Sequence, residues 1–389
     1  MKKIKLGELC KPSVGQIKED SDKLIDYIDI SSVDNETKKV TGYQTIAFRD
    51  APSRARKMVK RGSILVSTVR PNLNAVAMLE DDTPNITIAS TGFCILDCKE
   101  NANNRFIFNF CKSRAFIDDM VSQATGASYP AVSDKIVRSA LVPDYSYEEQ
   151  CKISEVLDRL SAVIDNRKTE LSALDELIRA RFVEMFGDMF LNTMGWQEES
   201  LESLADIVSG ITKGRKIKEK KLIEVPYMAV SNVKNGYIDW TTVKTIEATE
   251  QEINQYRLLP DDVLMTEGGD PDKLGRGAII REPLENCIHQ NHIFRVRLNE
   301  SIVLPDFFEE YLQHQRAKRY FLGCAKQTTG IASINMKQLS ALPVLIPPLK
   351  LQQQFSDFVR ELNKSKDSVQ KALDEAQLLF DSLMQQYFG

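Results

Sequence analysis

Ser146-Tyr-Glu-Glu-Gln-Cys-Lys-Ile-Ser-Glu-Val-Leu-Asp-Arg-Leu160 opens the stretch whose reading decides the fold, and Phe186-Gly187 closes it. Ser146-x-x-Glu149 has the form of a capping box, in which the hydroxyl accepts from a first-turn N–H and the carboxylate reaches back to the Ser146 N–H. From there apolar residues follow at Ile153, Leu157, Leu160, Ile164, Leu171, Leu174, Ile178 and Met185, with Arg167 and Arg181 holding the intervening seam places. Steps that alternate between four and three predict a heptad helix of the coiled-coil kind. Gly187 predicts its stop.

The pattern returns after Pro347-Pro348 in the same phase, with Phe355 in the place of Ile153 and Val359 in that of Leu157. This second seam is Phe355, Val359, Leu362, Lys366, Val369, Leu373, Ala376, Phe380, Leu383 and Tyr387. Each helix is predicted at about 38 residues, or ~57 Å. Heptads also join separate chains, but two in-phase helices of one length in one chain favour antiparallel pairing within it. The expected result is a rod with a pseudo-twofold axis.

Outward from the helices, the whole chain reads as a duplication. Tyr27, Val33, Asn35, Thr45 and Ile46 reappear as Tyr227, Val233, Asn235, Thr245 and Ile246; Thr125-Gly126 returns as Thr329-Gly330, and Phe186-Gly187 as Phe388-Gly389. A period this long excludes a solenoid and predicts two homologous domains. Ile64-Leu65-Val66 and Ile86-x-Ile88 read as strands, and Asn104 to Val121 as a helix. Val263-Leu264-Met265, His292 to Leu298 and Phe307 to Phe321 are their counterparts. The expected class is α+β: α/β domains at 1–145 and 189–347, each followed by a long helix, at 146–188 and 348–389.

A net charge of -4 does not advertise a nucleic-acid binder, yet the basic residues are clumped, and local patches outweigh totals. Arg49, Arg54, Arg56, Lys57, Lys60 and Arg61 crowd one stretch; Lys213, Arg215, Lys216, Lys218, Lys220 and Lys221 crowd another. Each run also reads as an ordinary solvated face. The seven cysteines form no C-x-x-C pair and fit reduced thiols in a cytoplasmic protein. No apolar run approaches membrane-spanning length.

Catalytic signatures are missing. Gly210-Ile-Thr-Lys-Gly214 lacks phosphate-loop spacing, no Asn/Asp-Pro-Pro-aromatic tetrapeptide occurs, and Glu219-Lys-Lys221 has no Pro-Asp partner at a sensible distance before it. Cys287-x-His289-x-x-His292 is the one metal-like cluster. On a strand its two histidines point to opposite faces, so a polar edge or a DNA contact is expected there rather than zinc. Gly268-Gly269 and Gly275-x-Gly277 have the composition of a phosphate cradle or of a plain turn.

Tyr147-Glu-Glu-Gln150-Cys-Lys-Ile153, with its heptads through Phe186-Gly187, resembles the conserved helical region of Type I restriction–modification specificity subunits. So does Leu345-Ile-Pro-Pro-Leu349-Lys-Leu-Gln352-Gln. Thr266-Glu-Gly-Gly-Asp270-Pro-Asp-Lys-Leu-Gly275-Arg-Gly and His289-Gln-Asn-His292 look like one variety of that family's target-recognition domain. The resemblance covers essentially the whole chain. Leu351 departs from it, standing where the family more often has an acidic residue. So does Ser67-Thr-Val-Arg70-Pro-Asn-Leu-Asn74, which replaces the glycine-rich pattern and implies that the two domains read different sequences.

The resemblance implies a non-catalytic subunit that reads a bipartite, asymmetric site in double-stranded DNA, one half-site per domain. Its partners would be two adenine-methyltransferase subunits carrying adenosylmethionine and ATP-driven translocase/endonuclease subunits, so no cofactor is expected in this chain. Surfaces reading one face of B-DNA lie about one turn apart, ~34–36 Å, which a rod of the predicted length accommodates. Expected DNA contacts are Ser67, Thr68, Arg70, Asn72, Asn74, Ser128 and Tyr129 in the first domain. In the second they are Lys213, Arg215, Lys216, Thr266, Glu267, Asp270, Lys273, Arg276, Gln290, Asn291 and His292. Arginine suits guanine, amides suit adenine, and carboxylates accept from cytosine.

Overall fold

The structure is a computed structural model that describes residues 2–17, 23–216, 221–269, 274–328 and 331–389, with backbone only for 326–328 and 331. The chain divides into two units, residues 1–169 with 370–389, and residues 170–369.

In the first unit Leu24–Ile28 lies between Gln44–Ala47, antiparallel to it, and Ile86–Ser90, parallel to it. Ala55–Met58 completes this four-stranded sheet. A second sheet sets Ile64–Ser67 between Val76–Met78 and Phe93–Leu96. All four residues of Ile64–Ser67 are buried, as a continuous apolar run in a central strand requires. Lys3–Lys5 pairs with Leu141–Pro143 and ties the start of the unit to the segment before the central helix.

The second unit repeats this plan. Ile223–Met228 lies between Lys244–Ala248, antiparallel, and Ile288–His289, parallel. Asp262–Thr266 lies between Gly277–Ile280 and Ile293–Leu298, with Ala205–Ser209 added at the edge. Gln197–Ser200 pairs with Pro343–Ile346 as Lys3–Lys5 does with Leu141–Pro143.

The stretch expected as one helix from Asn104 is two helices, Asn104–Lys112 and Arg114–Gln123. Ser113 breaks it: extended at φ -67°, ψ 149°, it closes the first helix with its N–H and caps the second by accepting from Phe116 N–H. His314 divides Pro305–Gln313 from Gln315–Cys324 in the same way. Apolar periodicity runs through both breaks, because the two short helices pack on one core.

The long helices are Tyr147–Phe186 and Leu349–Phe388, 40 residues each. The capping box forms: Glu149 Oε2 accepts from Ser146 N–H at 2.8 Å, and Ser146 Oγ accepts from Glu149 N–H. Gly187 ends the first helix at φ +73°, a left-handed conformation that glycine adopts without a Cβ penalty. In the first unit the start of the central helix (Ile153, Leu157) shares a core with the end of the C-terminal helix (Met384, Phe388). In the second unit the end of the central helix (Ile178, Phe182, Met185, Phe186) shares a core with the start of the other (Phe355, Val359). Within each unit the two helices therefore pack antiparallel. Phe182 fills the seam there, its ring 5.4 Å from Phe355 and 5.5 Å from Phe307, while the Arg181 guanidinium donates to Glu184 and lies 5.7 Å from the Phe358 ring centroid.

A buried glutamine seats each long helix. Gln352 Oε1 accepts from Leu304 N–H, and its amide nitrogen donates to the Ile302 and Pro347 carbonyls at 2.9 and 2.8 Å. Gln150 does the same in the first unit, accepting from Asn103 N–H and donating to the Tyr145 carbonyl. One turn on, Ser356 donates to Asp306 and Ser154 to Asn103. Gln352→Ala would orphan an N–H and two carbonyls in a dry setting, at about 1–3 kcal/mol for each group left unsatisfied. We expect it to lower unfolding free energy by about 3 kcal/mol in urea titrations. The exposed neighbour change Gln353→Ala should cost less than about 0.5 kcal/mol.

Candidate nucleic-acid interface

In the first unit the loop after Ile64–Ser67 is locked in place. Arg70 and Asn74 are left-handed at φ 49° and 45° and bracket the 3-10 turn Pro71–Leu73. Non-glycine residues bear such conformations at a cost of about 1–3 kcal/mol each, and where they persist the surroundings enforce them. Here Arg70 N–H donates to Pro130 O, Asn74 Nδ2 to Cys111 O, and Lys38 Nζ to Asn74 O. Val69 bridges Ala131, and Val132 N–H donates to Thr68 O. The turn and the Thr125–Ala131 loop thus form one surface exposing Arg70, Asn72, Leu73, Ser128 and Tyr129. The Arg70 guanidinium lies 4.8 Å from the Tyr129 ring centroid. No acidic residue occurs in 67–75 or 123–133.

Three residues expected to touch DNA instead build this frame. Ser67 and Thr68 are buried and donate to the carbonyls of Val69 and Gly92. Asn74 is buried behind the turn. Their short polar side chains satisfy backbone groups that a loop turned inward would otherwise strand.

The second unit uses the same backbone frame. Gly268–Gly269 pairs with Ile331–Ser333, as Val69 pairs with Ala131. Glu267 N–H donates to His292 O, as Thr68 N–H does to Gly92 O. The side chains differ. His292, exposed, has Nδ1 2.5 Å from Glu267 Oε2. Half-buried Gln290 and Asn291 precede it, and Arg276 stands at the start of Gly277–Ile280 with Nε unpartnered among the described residues. Thr266 is fully buried and presents nothing to a ligand. Asp270 and Lys273, and Thr329-Gly330, lie outside the described residues.

The basic runs separate into paired and unpaired groups. Arg215 forks onto Glu252 at 2.6 and 2.7 Å, and its guanidinium holds the Glu252 carboxyl below its ordinary range. This internal pair removes Arg215 from the expected contacts. Lys213 and Lys216 are exposed and make no ion pair among the described residues; Lys218 and Lys220 lie outside those residues. In the first unit Arg54 is held by Asp29 and Lys57 by Asp134, so much of that run is neutralised internally.

His289 is neither a ligand nor a DNA contact. It is fully buried, with Nδ1 3.1 Å from Tyr256 O and Nε2 3.2 Å from Val208 O. The described residues contain no group of three or more His, Cys, Asp or Glu able to hold a metal, and all seven cysteines are free. Burial outweighs the pull of the two carbonyls and lowers the His289 pKa to about 4. Between about 6.5 and 4, the unfolded chain takes up a proton that the folded chain refuses, so this residue removes stability as pH falls. Glu309, raised by burial to about 7, acts oppositely between about 4.5 and 7, so only a variant comparison isolates the histidine. We expect His289→Gln to lose about 1 kcal/mol less than the parent between pH 7.5 and 5.5 in urea titrations. Parallel pH profiles would contradict this assignment.

A family model described as the Type I restriction modification DNA specificity domain matches residues 194–377. The chain is 25% identical over 293 residues to the Type I restriction enzyme EcoKI specificity subunit of Escherichia coli K12, covering 72% of this chain and 63% of that one. It is 24% identical over 294 residues to the StySPI specificity subunit of Salmonella potsdam, covering 72% and 63%. To the putative MjaX specificity subunit of Methanocaldococcus jannaschii it is 27% identical over 193 residues, covering 46% and 45%. The match thus spans less than two thirds of these relatives' length. Among solved structures, the Type I restriction–modification S subunit from M. genitalium superposes with a TM-score of 0.59 at 15% identity, covering 100% of this chain and 96% of that one. A chain from a type I R-M system, solved in work on complex assembly and conformational transition, gives 0.58 at 21% identity, covering 100% and 97%. At these identities the structures establish the fold: two mixed α/β units with long helices. Residues 194–377 thus match a Type I restriction modification DNA specificity domain model, and the chain is similar to specificity subunits over 72% of its length.

Proposed function

We propose that this chain reads DNA sequence for a Type I restriction–modification assembly, each unit reading one half of a bipartite, asymmetric target. The observation that carries this reading is the loop frame after Ile64–Ser67 and Asp262–Thr266, which has the same backbone pairing in both units but different exposed side chains. A shared frame with divergent tips is what two related surfaces need in order to read different base pairs in the same way. In the first unit the readers are Arg70, Asn72, Ser128 and Tyr129. In the second they are Arg276, Glu267, Gln290, Asn291 and His292. With Glu267 Oε2 taken by His292, Oε1 is left to accept from an amino group on a base edge. Lys213 and Lys216 hold phosphates.

The chain itself is proposed to be non-catalytic, with adenosylmethionine on two methyltransferase subunits and ATP on translocase/endonuclease subunits. The similarity to specificity subunits and the missing cofactor motifs support this division. A cytoplasmic site of action is part of the same proposal and is supported by that similarity. Among the described residues no helix is long and apolar enough to cross a membrane.

The test is binding of the chain, assembled with its methyltransferase partners, to intact and half-site-altered duplexes across salt concentrations. Arg276→Ala should cost about 1–3 kcal/mol on the intact site and relax discrimination in the second half-site only. Lys213→Ala with Lys216→Ala should weaken all duplexes alike and flatten the salt dependence by about one unit per lost phosphate contact. Equal weakening of every duplex by Arg276→Ala would make it a phosphate contact. An assembly without sequence preference would overturn the reading.

A further inference from the structure

We infer that Leu73 is a specificity residue of the first unit and reads the 5-methyl group of a thymine. The inference rests on the DNA-reading function proposed above and names a chemical feature of that unit's half-site.

Leu73 is 46% exposed at the tip of the turn Pro71–Leu73. An exposed leucine is ordinary on a mobile loop; this one stands on a turn fixed from several sides. Pro71 is buried beneath it, Leu73 N–H donates to Arg70 O, and Asn74 N–H donates to Pro71 O. The clamps already described, from Cys111 O, Lys38 Nζ and Pro130 O, hold both ends. Nothing in this frame lets the leucine fold back into the core. It therefore stays at the surface, next in the turn to exposed Asn72 and three residues from Arg70, whose guanidinium lies 4.8 Å from the Tyr129 ring centroid.

Its neighbours select what can cover it. Arg70 and Asn72 are the residue types that hydrogen-bond guanine and adenine edges, and the absence of carboxylates from both loop segments suits the approach of phosphates. In the major groove the base-edge feature without hydrogen-bonding capacity is the thymine methyl group. A rigid aliphatic tip set among hydrogen-bonding tips meets that group without stranding a polar atom. The corresponding segment of the second unit begins Thr266-Glu-Gly-Gly, and its one aliphatic residue before Gly275, Leu274, is buried, so the inference applies to the first unit alone.

The experiment uses the assembled complex and its methylated target, with each thymine of the first half-site replaced in turn by deoxyuridine. This removes one methyl and leaves every hydrogen-bonding group in place. At one position affinity should fall about fourfold, the weight of one buried methyl group. Leu73→Ala should bind the thymine and deoxyuridine duplexes equally, and Leu73→Val should retain part of the difference. Deoxyuridine in the second half-site should have no Leu73-dependent effect. The inference is overturned if no thymine of the first half-site is sensitive, or if Leu73→Ala keeps the parent's discrimination. The parent scan needs no variant, so a folding defect in Leu73→Ala leaves a decisive measurement. Flat deoxyuridine scans in a complex that still prefers its target would remove only this inference; loss of target preference altogether would remove the DNA-reading function with it.

Discussion

The structure depends on one buried amide used twice. Gln352 and Gln150 each sit inside the first turn of a long helix, and each hydrogen-bonds backbone groups on both sides of the junction with its unit. A buried amide is costly unless its partners are in place, so it admits one seating of the helix. The aromatic clusters then complete the junctions: Phe182, Phe186, Phe307 and Phe355 in one unit, Phe106, Phe110 and Phe388 in the other. Apolar packing alone tolerates slippage along a heptad seam; the glutamine does not.

That rigidity bears on the proposed function because, in each unit, the loop proposed to read DNA is anchored to the junction the glutamine holds. Asn74 is tied to Cys111 at the end of Asn104–Lys112, the helix whose N-cap residue, Asn103, donates its N–H to Gln150. In the second unit Gln352 holds Leu304, the N-cap of Pro305–Gln313, while Glu309 of that helix accepts from Ile279 in the strand that follows Arg276. A base-reading side chain gains specificity by being held where the correct edge fits and a wrong one does not. Left-handed Arg70 and Asn74 mark the ends of the turn so held in the first unit.

Much of this was legible in the sequence, and the failures have physical causes. The capping box, the heptads, the glycine stop and the buried strands are local patterns whose chemistry acts within a few residues. The breaks at Ser113 and His314 were hidden because apolar periodicity continues across them, although Ser113 is a strong capping type. Ser67, Thr68, Asn74 and Thr266 carry the polar chemistry of a binding loop, and their burial follows from long-range contacts with Phe93, Gly92, Cys111 and Ile293 that local pattern does not reveal. Arg215 was misassigned for the same reason: its partner Glu252 lies on another element. His289 looked like a polar edge, yet it closes the short parallel strand beside Ile223–Met228. One signal was available and overlooked: Gln-x-x-x-Ser at 150–154 returns at 352–356, a polar pair inside an apolar seam, and such pairs stay buried only when they hold something.

The central claim is that each unit reads its own half of a bipartite target. It is tested most directly by replacing residues 189–347 with the corresponding segment of a relative and sequencing the methylome of cells that carry the hybrid. The account predicts a methylated motif in which one half is new and the other half is unchanged. A motif altered in both halves at once would contradict it.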